Sequence, residues 1–258
     1  MKQKDIDYIN KINDKYPKFR PKLNSNIKNI FKTEYKLNRE NKLVTIIESW
    51  MHRAIHRVKK KNVNILEIGA GTLNHVVYEL PYSKFNYDIV EPKKYLYKKS
   101  KFKKFIKNFY SSYKEVPNNH YDVINSCATL EHLQNLPEFL TLSAFKIKKR
   151  GIHSHSIPCE GYFIWKLFNR YINGVIFKIR TGENWNNFMS HEHLNNYDEI
   201  IGLIKFFYKN VKIKFSYLFF YSPHTSFYAN IFFSNPKKKL CKRFLFLNRR
   251  KRLKKIIK

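Results

Sequence analysis

The stretch Ile65-Leu66-Glu67-Ile68-Gly69-Ala70-Gly71-Thr72 decides how this chain is read. An apolar run suited to a buried strand passes straight into a two-glycine turn, and Asn74 and His75 then open a helix. Glycines let backbone amides approach a ligand closely at the carboxyl end of a parallel strand, the edge at which open α/β sheets bind. A Gly-X-Gly by itself is a weak signal. It is strengthened by Glu91, which closes the next predicted strand twenty residues after Gly71, where a carboxylate can accept hydrogen bonds from both hydroxyls of a ribose. The third glycine of a dinucleotide-binding Gly-X-Gly-X-X-Gly is missing, because position 74 is Asn. That glycine allows tight strand-to-helix packing under a pyrophosphate, so its absence disfavours a nicotinamide or flavin enzyme. Glu67 puts a second carboxylate at the strand end, able to organise the loop or face a cationic group.

Strand and helix signals alternate outward from this point, as a parallel sheet requires. Strands are predicted at Val63 to Ile68, Tyr87 to Val90, Phe105 to Tyr110, Tyr121 to Ser126 and Ile152 to Ile157, with a helix from Pro137 to Lys149 that Gly151 would cap. Past Pro158 the chain is aromatic and apolar without alternation, which predicts a helical insertion over 158–196. Asn196 should cap a helix over Tyr197 to Tyr208, and Val211 to Phe220 with Phe227 to Phe233 should pair antiparallel at one edge. The expected fold is therefore α/β: a Rossmann-like, mostly parallel seven-stranded sheet with helices on both faces, an antiparallel edge strand and a helical insertion after strand five. Its expected organisation is a helical arm over 1–61, the main domain over 62–235 and a basic tail over 236–258. Within the arm, apolar residues from Leu43 to Val58 recur at helical spacing, and His52 and His56 on that helix read as packed or solvated rather than as ligands.

Three scattered cysteines, Cys127, Cys159 and Cys241, suit a reducing compartment better than a disulfide scaffold. The lysine-rich start has no apolar run of signal-peptide length and no window reaches membrane-span length, so a cytoplasmic protein is expected. Fifty-one Lys and Arg against nineteen Asp and Glu give a formal charge of +32, enough to attract polyanions, although the abundance of Lys, Asn, Ile, Tyr and Phe together also fits a biased base composition. The tail carries twelve Lys and Arg and no acid, interleaved with Leu240, Phe244, Leu245, Leu247, Leu253, Ile256 and Ile257. It can form a basic amphipathic helix, which makes peripheral contact with an anionic membrane an expected property.

The run Glu67-Ile68-Gly69-Ala70-Gly71-Thr72-Leu73-Asn74-His75 resembles motif I of class I S-adenosylmethionine-dependent methyltransferases. Tyr87 to Pro92 is similar to their second strand with its ribose-binding acid, and Tyr121 to Leu133 to their fourth strand and following loop, including Leu130-Glu131-His132. Further similarity, in Ile157 to Gly161, His191 to Ile200 and Asn230, is to methyltransferases of bacterial surface-polysaccharide clusters. Leu73 stands where the usual motif has glycine, and Lys149-Arg150-Gly151 replaces a common Pro-Gly-Gly turn.

The resemblance implies S-adenosylmethionine as cofactor, held by Glu67, Gly69, Ala70, Gly71, Asn74, Glu91, Pro92, Thr129 and Leu130. It implies methyl transfer to a hydroxyl or amine of a saccharide or sugar-linked acceptor. His132, His191 and His193 are the candidate catalytic residues, with His132 first as general base. Glu160, Glu192 and Asn195 are the candidate partners for acceptor hydroxyls, and Tyr162, Phe163, Trp165 and Trp185 can form either a lid or core. Histidines 153, 155, 191 and 193 with Cys159, Glu160 and Glu192 invite a metal, but no spacing matches a zinc module and no metal is expected. An RNA methyltransferase and a non-catalytic binding protein of the same fold are the competing readings. The first lacks an Asn-Pro-Pro-aromatic motif, a catalytic cysteine pair and an RNA-binding module; the second must explain why Glu67, Gly69, Gly71 and Glu91 are retained.

Overall fold

A computed structural model describes residues 2–22, 30, 49–55, 62–80, 85–215 and 221–256. Among these, seven strands form one sheet in the order β3-β2-β1-β4-β5-β7-β6. The strands are β1 Val63–Ile68, β2 Phe85–Val90, β3 Ile106–Tyr110, β4 Tyr121–Cys127, β5 Ile147–Pro158, β6 Tyr208–Phe215 and β7 Tyr228–Pro236. β1 to β5 run parallel, and β7 pairs antiparallel with both β5 and β6. The antiparallel pair thus occupies one edge, with β7 inserted inside β6. Lys209, Lys212 and Lys214 stand exposed along that outer strand, where charge discourages further pairing.

The sheet is covered on both sides, and the side chains of β1 show how. Val63 and Ile65 join Tyr87, Ile89, Leu73 and Val76 in one apolar cluster, whereas Leu66 and Ile68 join Ile124, Leu140 and Ile204 in the other. The helices are α1 Gln3–Lys15, α2 Val76–Glu79, α3 Lys94–Tyr97, α4 Leu136–Lys146, α5 Phe163–Lys166, α6 Gly174–Thr181, α7 Trp185–Glu192, α8 Tyr197–Phe207 and α9 Lys238–Ile256, with a π-helical stretch at Leu167–Asn173 between α5 and α6. Asn196 caps α8 as its sequence suggests, accepting from the Glu199 amide while the Glu199 carboxylate accepts from the Asn196 amide.

Two expectations are corrected. Gly151 does not cap α4: the helix stops at Lys146, and β5 begins at once because the buried Ile147 already pairs with Tyr121. Gly151 lies within that strand, where a Cβ would sit 2.9 Å from the Asp122 carbonyl oxygen and 2.7 Å from Ile147 Cγ1. The apolar side of α9 does not face outward either. Leu240, Cys241 and Phe244 are buried in the core against α4 and α8, Leu245 and Leu247 pack half-buried beside them, and Phe246 is left exposed among cations. The expected short helix of the arm is α1, and it contributes Ile9 and Ile12 to the core. The expected helix from Glu40 to Lys61 falls mostly outside the described residues; 49–54 are helical.

Among the described residues no helix is long and apolar enough to cross a membrane.

Candidate functional site

The chain order reverses direction across the sheet between β1 and β4, so the loops leaving these two strands diverge and open a crevice at their carboxyl ends. Gly69 and Gly71 both take positive φ, +67° and +52°, in the loop after β1. Gly69 is pressed against the loop after β4: an added Cβ would stand 2.6 Å from Thr129 Cγ2. The Thr129 hydroxyl is itself held, donating to the Cys127 carbonyl at 2.9 Å. At the end of β2 the Glu91 carboxylate is buried, and it accepts from the Gly71 amide through Oε2 and the Lys93 amide through Oε1, both at 2.9 Å.

Glu67 points to the same side as Val63 and Ile65 and receives the Tyr87 hydroxyl at 3.0 Å. Burial pushes its pKa up to about 7, an effect partly opposed by nearby His75 and by the Tyr87 hydrogen bond. His75 in turn bonds Glu79 at 3.0 Å. Of the other residues expected at this edge, Ala70 is buried in the loop, Pro92 is exposed, and Asn74 is exposed with its side-chain oxygen accepting from the Thr72 hydroxyl. The Leu130 side chain is fully buried in the core, its carbonyl accepts from the Asn195 side-chain amide, and only its backbone could meet a ligand.

A second polar cluster gathers where the loop after β4 meets the segment between α7 and α8. The Leu194 and Asn195 amides both donate to the Glu131 carbonyl, fastening the two segments together. His132 Nδ1 lies 2.7 Å from the Glu192 carbonyl oxygen. A carbonyl only accepts, so Nδ1 carries the proton and Nε2 of the neutral ring keeps its lone pair. His193 repeats the arrangement, its Nδ1 donating to Glu160 Oε2 at 2.8 Å, and the two imidazoles meet edge to face with centroids 5.0 Å apart. Beside them lies the buried Glu131 carboxylate, its Oε1 3.9 Å from His132 Nε2, whose pKa burial pushes up to about 7 against the opposing influence of His132. Its Oε2 finds no hydrogen-bond partner among the described residues.

His193 and Glu160 also border an open cavity of about 700 Å³ between the helical insertion and α8, lined by Phe163, Trp165, Tyr171 and Trp185. The N-terminal arm straps this region. Lys18 Nζ reaches Glu199 at 2.7 Å, Arg20 pairs with Glu192 at 2.7 Å, and the Tyr16 hydroxyl donates to Asn195 Oδ1 at 2.9 Å.

Two further expectations fail here. Asn195 is no acceptor ligand, because it is buried with its side-chain oxygen on Tyr16 and its nitrogen on the Leu130 and Leu133 carbonyls. His191 does not share a face with His193: α7 continues through Glu192, and His191 Nδ1 donates to the Pro21 carbonyl at 2.7 Å. Glu192 stands beside His132 but is committed to Arg20. His153 and His155 are core residues, fully buried and stacked on Phe233, and burial holds His155 down to about 3. Glu131 is the residue sequence reasoning passed over, although its position beside His132 in the turn after β4 signalled it. The arm contacts had no such signal, since Tyr16, Lys18 and Arg20 look like ordinary surface residues.

The sequence profile of a methyltransferase-domain family matches residues 20–212. No curated protein matches the chain. Among solved structures, a SAM-dependent methyltransferase of Thermotoga maritima, described as a possible histamine N-methyltransferase, matches with a TM-score of 0.54 at 16% identity, over 81% of this chain and 97% of its own. A SAM-dependent methyltransferase of Archaeoglobus fulgidus matches with a TM-score of 0.51 at 16% identity, over 75% of this chain and 94% of its own. This chain spans about half the length, 48% in each case, of the CurJ carbon methyltransferase and of the citrinin polyketide synthase CMeT domain, which it also matches. These likenesses are of fold. With the family profile covering most of the chain, the protein belongs to the methyltransferase-domain family.

Proposed function

We propose that this protein transfers a methyl group from S-adenosylmethionine to a hydroxyl of a saccharide or sugar-linked intermediate. The observation that carries the acceptor half is the pairing of two imidazoles, His132 and His193, each anchored through Nδ1, with a wide aromatic cavity that His193 borders.

The residues at the β1 and β2 ends fit the cofactor. Each Glu91 oxygen accepts one backbone amide, which leaves a lone pair on each for the vicinal hydroxyls of a ribose. The Gly69 to Gly71 turn contributes backbone approach without side-chain bulk, and Ala70 and Thr129 bound it. When bound, the cofactor supplies a methyl group on a positively charged sulfur that leaves as a neutral thioether once an oxygen has taken the methyl. The chain's own task is alignment and proton removal. His132 accepts the acceptor's hydroxyl proton at Nε2, while the Glu192 carbonyl fixes its tautomer and steadies the cation that forms. Glu160 does the same for His193. The faces of Trp165 and Trp185 suit a sugar ring, whose C–H face packs on aromatics while its hydroxyls seek polar partners.

Peripheral membrane contact is a separate part of the proposal, and it would be chiefly electrostatic, because Leu240, Cys241, Phe244, Leu245 and Leu247 of the tail are wholly or partly packed into the fold. The acceptor class is tested by mass spectrometry of surface glycans from cells with and without the gene. Loss of one methyl ether supports the reading; an unchanged glycan overturns it. His132→Ala should cut turnover at least 100-fold with cofactor affinity unchanged.

A further inference from the structure

We infer that Glu131, His132 and His193 form a binding site for one divalent first-row transition-metal ion at the acceptor side of the crevice. The three side chains offer one ligand atom each, all within 4.8 Å of one another. Two neutral imidazoles and one carboxylate on one side of an ion, with the remaining positions open, is a ligand set that suits manganese, iron, cobalt or zinc.

Two observations beyond the cluster itself point to a cation. The Glu131 carboxylate is 1% exposed and its Oε2 has no partner among the described residues, although Leu194 and Asn195 hold its backbone in place. A buried carboxylate oxygen left without a donor is costly, and a cation removes that cost. Both histidines, moreover, have their outer nitrogens anchored, His132 on the Glu192 carbonyl and His193 on the Glu160 carboxylate. Metal-bound imidazoles are oriented in this way, with the second nitrogen donating to a carbonyl or carboxylate that fixes the tautomer and raises ligand basicity. The second cluster of possible ligands, His52, His75 and Cys127, has one such anchor, His75 on Glu79, but offers no carboxylate ligand and no buried polar atom left without a partner among the described residues.

The inference rests on the acceptor-side reading above and deepens it. With the ion in place, both Nε2 lone pairs ligate it, and the pull on the acceptor proton passes from imidazole to metal. The acceptor hydroxyl takes an open coordination position, its pKa falls, and its proton leaves to solvent through the open cavity.

The test uses tag-free protein stripped with chelator and titrated with cobalt(II), followed by visible absorption and by calorimetry. One equivalent should bind with ligand-field bands of imidazole and carboxylate coordination and no thiolate charge-transfer band. Glu131→Gln and His193→Ala should each weaken binding at least 100-fold, and Glu160→Gln about 10- to 100-fold. The demethylated cofactor, titrated in parallel, should bind every variant like wild type, which also verifies folding. Absence of saturable one-to-one cobalt binding, a thiolate band, or binding indifferent to Glu131→Gln and His193→Ala overturns the site. Failure here with cofactor binding intact leaves the methyltransferase reading standing. Cobalt binding together with a glycan unchanged by loss of the gene keeps the site and removes the saccharide.

Discussion

Replacing Gly69 by alanine tests the contact that joins the two loops of the cofactor edge. The residue sits at φ +67°, where an L side chain is disfavoured, and the new methyl would stand 2.6 Å from Thr129 Cγ2 and 2.7 Å from Thr129 Oγ1. The left-handed backbone costs roughly 1–2 kcal/mol. Thr129 must also move, and its hydroxyl holds the Cys127 carbonyl, so about 1 kcal/mol of hydrogen bonding goes with it. The expected loss is thus about 2–3 kcal/mol of stability, together with weaker binding of the demethylated cofactor, measured by urea unfolding and by calorimetry. The double variant Gly69→Ala with Thr129→Ala removes both close contacts, so the two changes should couple favourably by about 1 kcal/mol. Backbone strain would remain. Unchanged stability and unchanged cofactor affinity in Gly69→Ala would refute the argument that this glycine is required by close approach.

Two other substitutions and a truncation probe the framework. Glu67 has a folded pKa of about 7 against an ordinary 4.5, so its contribution to stability is fully present below about pH 4.5 and is lost as pH rises through 7, by about 3 kcal/mol. Glu67→Gln should therefore melt above wild type at pH 8 and level with it at pH 4.5; parallel melting curves across that range would contradict the buried-carboxylate assignment. Asn195→Ala removes buried hydrogen bonds to Tyr16, Leu130 and Leu133 and should cost about 3 kcal/mol while leaving the acceptor KM unchanged at a temperature where the variant is folded; a raised KM in a fully stable variant would return Asn195 to the acceptor site. Deleting 237–258 strips Leu240, Cys241 and Phe244 from the core and should prevent cooperative folding, checked by circular dichroism; a truncated protein that melts like wild type would show that α9 is not part of the core.

Much of the fold was readable because the informative residues act locally. The run from Val63 to Ile68 is apolar enough to be a buried strand, and Asn196 with Glu199 announces the start of α8. Gly151 misled, because a glycine after a helical pattern looks like a cap, and only the approach of the Asp122 carbonyl from β4 reveals why it is there. The tail was ambiguous for a related reason: an alternation of lysine and leucine fits a membrane surface and a core-facing helix equally well, and what it packs against is a tertiary fact. In the site, Gly69, Gly71 and Glu91 come from a short pattern after consecutive strands. His132 and His193 are sixty-one positions apart, and their meeting depends on the Glu131 carbonyl receiving two amides from the segment after α7. No local pattern encodes that, nor the role of Tyr16 and Arg20 in holding the same segment.

A ribose-bearing sulfonium cofactor seated at Glu91 is the centre of the proposed chemistry, and a calorimetric titration of wild type and Glu91→Ala with S-adenosylmethionine measures this directly. Wild type should bind one equivalent, and the variant should bind at least tenfold more weakly while still unfolding cooperatively, at a lower temperature because the Gly71 and Lys93 amides lose their acceptor. No binding by folded wild-type protein at millimolar cofactor, or equal affinity in the two proteins, would contradict it.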